Sequence, residues 1–166
     1  MAATVRRVRP DDWELLRELR LRALQTDRTA FGSTHEREAA FPEEGWREWA
    51  QEGAEGDGTA TLFAFLDGDA AGLVASFRDG EDASLFHVIA MWVAPEARGR
   101  GVGRRLLAEI EAWIASCGGV TVQLSVTNEA AAARRLYEAA GYEADGAVED
   151  SPHTPGVLHT SLTKLI

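Results

Sequence analysis

Val93-Ala94-Pro95-Glu96-Ala97-Arg98-Gly99-Arg100-Gly101-Val102-Gly103-Arg104-Arg105-Leu106-Leu107 sets three alternate glycines between an apolar run and the opening of an amphipathic pattern. Glycine tolerates backbone conformations and close approaches that other residues do not. When a helix follows such a turn, its first N–H groups have no helical carbonyl to reach, and the helix dipole favours an anion there. A diphosphate suits that end. The spacing Gly99-x-Gly101-x-Gly103 is not the dinucleotide fingerprint, and no Gly-Lys-Ser/Thr follows as in a P-loop. Taken alone, the glycines also fit a plain tight turn.

The rest of the chain gives the turn its context. Leu106, Leu107, Ile110, Trp113 and Ile114 recur at helical spacing after it, and Ser84 to Val93 reads as a strand before it. Ala60–Leu66 and Ala71–Phe77 are apolar runs joined by Asp67-Gly68-Asp69, a hairpin signal. Upstream, Thr4 to Val8 reads as a strand. Pro10-Asp11-Asp12 then opens a helix carrying Trp13, Leu16, Leu19, Ala23 and Leu24. Thr26 to Gly58 reads as irregular, with a short helix starting at Pro42-Glu43-Glu44 and bearing Trp46 and Trp49. Downstream, Val120 to Val126 is a strand and Glu129 to Ala140 a helix, with Asn128 expected as its N-cap and Gly141 as its C-cap. Asp145 to Pro155 reads as a loop and Val157 to Leu165 as a last strand. The expectation is α+β, one mixed sheet in one domain over residues 1–166.

Composition narrows the function. The chain has 166 residues, 45% of them hydrophobic and 27% charged, which is ordinary globular usage. Its 17 basic and 27 acidic residues give a net charge of -10, which argues against a nucleic-acid binder relying on a basic face. Only Lys164 among the basic residues is lysine. Cys117 stands alone, which excludes an internal disulfide and a multi-cysteine metal site and suggests a reducing, cytoplasmic setting. No apolar run approaches the ~20 residues of a membrane span, and the arginine-rich start has no signal-peptide core. No membrane, nucleic acid or metal is therefore expected as a partner.

Arg98-x-x-Gly101-x-Gly103, set between a strand ending in Val93 and an amphipathic helix, resembles the acetyl-CoA signature of the GNAT superfamily of N-acyltransferases. Leu136-Tyr137-Glu138-Ala139-Ala140-Gly141-Tyr142 resembles the penultimate helix of that family and the strand after it. The resemblance implies a central mixed, mostly antiparallel sheet flanked by helices. It also implies a splayed strand pair, the pantetheine arm lying between the strand ending at Val93 and the one beginning at Val120. It places the diphosphate on backbone N–H groups across Arg98, Gly99, Arg100, Gly101, Val102, Gly103 and Arg104, and the pantetheine on amides at Met91 and Val93. Arg100, Arg104 or Arg105 is expected to reach the 3′-phosphate. The family often carries asparagine seven residues before the tyrosine; here that position is Ala130.

By the same resemblance Tyr137 protonates or stabilises the departing thiolate, and His87, six residues before Val93, is a candidate base for the amine. Glu81, Glu149, Asp150, His153 and water are its rivals. The acceptor pocket would be built from residues 30–49 and 145–155, whose acidic side chains suit a cationic amine. The implied activity is transfer of acetyl from acetyl-CoA to a primary amine of a small molecule, by direct attack in a ternary complex. A protein N-terminal or lysine acetyltransferase is the alternative in the same class, and a non-catalytic acyl-CoA-binding regulatory module the alternative in another. A homodimer is compatible with either.

Overall fold

The computed structural model describes residues 3–166. Its elements, in chain order, are β1 (Thr4–Arg7), α1 (Trp13–Thr26), α2 (His35–Ala39), α3 (Glu43–Glu55), β2 (Thr59–Leu66), β3 (Asp69–Arg78) and β4 (Leu85–Val93), then α4 (Val102–Ser116), β5 (Thr121–Thr127), α5 (Ala131–Ala139), β6 (Glu143–Asp150) and β7 (Leu158–Leu165). Short 3-10 turns at Pro10–Asp12 and Pro95–Ala97 lead towards α1 and α4. The strands form one sheet in the order β1-β2-β3-β4-β5-β7-β6. Every neighbouring pair is antiparallel except β4 with β5, so the expected α+β class with a mixed, mostly antiparallel sheet is the one observed.

Alternation along the strands sorts the core into two layers. Thr61 faces α3, where its hydroxyl accepts a bond from the Trp49 indole at 3.1 Å. On the other face, the Cβ direction of Gly72 leads to Leu106 of α4. The α4 residues Leu106, Leu107, Ile110 and Ile114 are fully buried there, together with Phe86, while Leu16, Leu19 and Trp46 fill the opposite layer. The hairpin between β2 and β3 turns at Asp67 and Gly68, with φ of 54° and 85°, the primed geometry that matches strand twist.

Three expectations change. Residues 26–58 are mainly helical: α3 runs for 13 residues, and α2 precedes it. Gly45 and Gly53 weaken the helical signal of α3, but its packing on β2 outweighs propensity. The stretch expected as a loop from Asp145 contains most of β6, an edge strand exposed along its whole length. Asp145 and Gly146 are turn formers, and they sit where the register slips between Ala144 and Val148 in a bulge. Asn128 does not cap α5. Ala130 occupies that position, and Asn128 Oδ1 instead accepts the Leu158 N–H at 3.3 Å, tying the end of β5 to the start of β7.

Helices α1 and α2 are held together by a buried ion pair. Arg20 donates from Nε and Nη2 to the two carboxylate oxygens of Glu38 at 2.8 and 3.0 Å. The same guanidinium lies over the rings of Phe31 and Trp49. Removing one partner of such a pair strands a charge in a dry environment. Glu38→Ala is expected to lose about 3–5 kcal/mol in denaturant unfolding, whereas the apolar double change Arg20→Met with Glu38→Leu should recover most of it. Equal losses in the two proteins would show that shape, rather than charge, sets the cost.

Candidate active site

Strands β4 and β5 pair over only three positions, Leu85 with Thr121, Phe86 with Val122 and His87 with Gln123. Beyond them the strands separate. The Ala94 N–H bonds Ala71 of β3, so alternation turns the backbone groups of Met91 and Val93 away from β3 and into the gap. A bulge precedes them, opposite Leu73 to Ala75, where Ala90 takes a φ of 57° that a non-glycine residue rarely adopts. It rephases the strand. Phe86, upstream, packs on Trp113 of α4; Val93, downstream, packs beside Gly103 of α4 while Trp92 points to the opposite layer.

A cavity of about 700 Å³ opens on the gap side of the end of β4, between the glycine turn and the start of α5. Met91 and Val93, the turn from Arg98 to Arg104 and Tyr137 line it, and Arg100 alone of the expected cofactor-binding residues does not. Gly101 is the N-cap of α4 with a φ of +81°, a left-handed conformation that costs other residues about 1–2 kcal/mol. A Cβ there would meet no protein atom within 4 Å, so the space beside it is open. The Arg105 N–H bonds Gly101 C=O, which leaves the N–H groups of Val102, Gly103 and Arg104 ahead of it without a helical acceptor. Gly103 has a different function in the fold. A Cβ there would sit 3.0 Å from Leu136, so its absence lets α5 dock over the first turn of α4 and brings Tyr137 to the cavity.

The arginines divide by partner. Arg98 is bound to Asp27 and Val93, and Arg105 to Glu109 and the Ala3 carbonyl. Arg100 and Arg104 have no ion pair among the described residues, which leaves them available to an anion. Tyr137 is buried, its ring edge-on to Tyr142, and its hydroxyl takes no protein partner among the described residues. Burial pushes that hydroxyl far above the ordinary phenol range, so it remains a proton donor throughout physiological pH. Among the described residues, no group of three or more His, Cys, Asp or Glu side chains is placed to hold a metal ion. No helix there is long and apolar enough to cross a membrane.

His87 lies outside the cavity, at the last pair before the strands part. Its ring stacks on Phe77 at 4.8 Å, and both nitrogens are engaged, Nδ1 with Gln123 Oε1 and Nε2 with Asp79 Oδ1, each at 2.7 Å. The ring therefore has no free lone pair for an amine as it stands. Beside it, a hollow of about 350 Å³ is lined by Glu48, Glu52, Trp49, Phe77 and Ile89, on the α3 face of the sheet. Asp27 and Asp79 were not among the residues expected from the sequence. Their partners reveal them only once the chain is folded.

The contact with His87, followed by the N–H groups of Glu81 and Asp82, holds the Asp79 carboxyl down to about 2. A depressed folded value contributes stability above the unfolded carboxylate value and loses it as pH falls through about 2. A carbon NMR titration should therefore find Asp79 with its midpoint near 2, rising towards the ordinary carboxylate value in His87→Ala. An unmoved midpoint in that variant would remove His87 as the cause.

A family model described as the acetyltransferase (GNAT) family matches residues 13–142. Among solved structures, the GNAT-family acetyltransferase from Streptococcus pneumoniae superposes with a TM-score of 0.83 at 25% identity, over 99% of each chain. The yncA protein of Salmonella typhimurium, solved with its cofactor acetyl-CoA, gives 0.81 at 17% identity, covering 99% of this chain and 94% of that one. The ribosomal-protein-alanine N-acetyltransferase of Brucella melitensis gives 0.81 at 20% identity, covering 98% and 99%. The matched span takes in the parted strands, the glycine turn and Tyr137, and the chain belongs to the acetyltransferase (GNAT) family.

Proposed function

We propose that the protein transfers the acetyl group of acetyl-CoA to a primary amine of a small molecule, by direct attack with both substrates bound. The observation that carries this reading is one cavity that joins three things: the backbone of Met91 and Val93 facing a gap, an open-faced helix N-terminus at Gly101 to Arg104, and the protonated hydroxyl of Tyr137. The residues fit the group. The N–H groups of Val102, Gly103 and Arg104 would hold the diphosphate, with Arg100 and Arg104 near its charge. The free backbone of β4 would stand in for a neighbouring strand along the pantetheine arm.

In this reading the amine nitrogen bonds to the acetyl carbon as the carbon–sulfur bond breaks. Tyr137 gives its proton to the departing thiolate, and the proton shed by the newly acylated nitrogen returns through solvent to the tyrosinate, so charge balances. Before attack an alkylammonium with a pKa near 10.4 must also become neutral. We assign that proton to His87, whose ring must leave Asp79 and give its Nε2 proton to water before it can offer the amine a lone pair. The exposed carboxylates of Glu48 and Glu52 beside it suit a cation. The lone cysteine accords with a cytoplasmic enzyme.

Thiol release over a panel of small amines and of N-terminal and lysine peptides tests the activity and the acceptor class together. Acetyl-CoA that binds but is neither hydrolysed nor transferred to any of them would leave a binding module. Tyr137→Phe removes only a hydroxyl, so the affinity for acetyl-CoA should hold while kcat falls about 10²–10⁴-fold. A parallel loss of affinity would make Tyr137 a packing residue. For His87→Gln, the expected result is loss of the rising limb of kcat/KM with pH; a profile that overlays the wild type after scaling would hand the proton to solvent.

A further inference from the structure

Asp27 stands where the end of α1, the end of β4 and the glycine turn meet. Its Oδ2 accepts from the Trp92 indole at 2.7 Å, from Arg98 Nη2 at 2.7 Å and from the Thr26 hydroxyl at 3.0 Å. Arg98 uses its Nε on the Val93 carbonyl at 3.0 Å. Asp27, Trp92, Val93 and Arg98 all line the large cavity, so this cluster is part of its wall.

An arginine at the mouth of an anion site would ordinarily be given to the anion. Here the guanidinium is already committed, to a carboxylate at one edge and to a backbone carbonyl at Nε. That commitment has two effects. The Val93 carbonyl, the last on the gap side of β4, is capped, so the ladder open to a ligand amide is reduced to Met91 and the Val93 N–H. The turn beginning at Arg98 is also tethered to the end of α1, which fixes where the N–H groups that follow it point.

We propose that Asp27 is a positioning residue for acetyl-CoA: by holding Arg98 on Val93 it sets the turn that receives the diphosphate. This rests on reading the cavity as the acetyl-CoA site. Because Asp27 acts through Arg98, the two should not be independent, and residues that share one contact do not add.

The test is calorimetric titration of acetyl-CoA into the wild type, Asp27→Ala, Arg98→Ala and the double variant, with a melting curve for each. Either single change should raise Kd roughly tenfold, and the double change by about the same factor rather than a hundredfold. In steady state the loss should fall on the KM for acetyl-CoA, with the KM for the amine and kcat moving less than about threefold. If a melting curve shows an unfolded protein, Asp27→Asn, which keeps the shape and an acceptor for the indole, takes its place in the cycle. Additive losses, or an unchanged Kd on altering Asp27, overturn the positioning role alone. A wild type that does not bind acetyl-CoA overturns the reading of the cavity and this role with it.

Discussion

Strands β4 and β5 leave each other after His87 and Gln123, and the backbone groups beyond that point must be satisfied by something other than a neighbouring strand. A sheet interior rarely tolerates such a breach. Here it lasts because each side is anchored independently. β4 keeps its antiparallel partner β3, and β5 is paired along its whole length with β7. Glu111 of α4 reinforces the far side by accepting from both the Tyr142 hydroxyl and Lys164, each at 2.8 Å. The gap is therefore a rigid slot rather than a frayed edge, and its unpaired amides are held ready for a ligand that can imitate a strand.

The glycine turn and Tyr137 reach the same slot by different routes. One arrives because β4 ends there and α4 begins; the other because Gly103 lacks a side chain and α5 can lie across the first turn of α4. A single missing methyl thus couples the open N-terminus of one helix to the hydroxyl on another. The apolar walls keep that hydroxyl protonated, while the arginines without partners stay at the rim where water screens them.

Much of this was legible in the sequence. The hairpin at Asp67-Gly68, the periodicity of α4 and the glycine spacing are local signals, and local signals survive reading one residue at a time. What was not legible depends on partners distant in the chain. Asp27 bonds Trp92 and Arg98 across 65 and 71 residues, and nothing near Asp27 announces either. The bulge at Ala90 has no glycine to mark it, since the surrounding sheet imposes its conformation. Gly45 and Gly53 dilute the helical pattern of α3, so it reads as short, and turn-forming residues in its bulge make β6 read as a loop. His87 was found by its distance from Val93, but spacing along a strand says nothing about Asp79, which lies on the connection that leads into that strand.

β6 closes the sheet with one edge open along eight residues, and Glu143, Asp145, Glu149 and Asp150 stand on it among few apolar side chains. An open edge is a template for another strand, and like charges brought face to face are what discourage such growth. The guard is electrostatic, so it depends on solution conditions. It is strong in dilute neutral buffer and fades with added salt or with acid strong enough to protonate those carboxylates. Colloidal behaviour, rather than folding, is where the acidic surplus of this chain is felt at that edge.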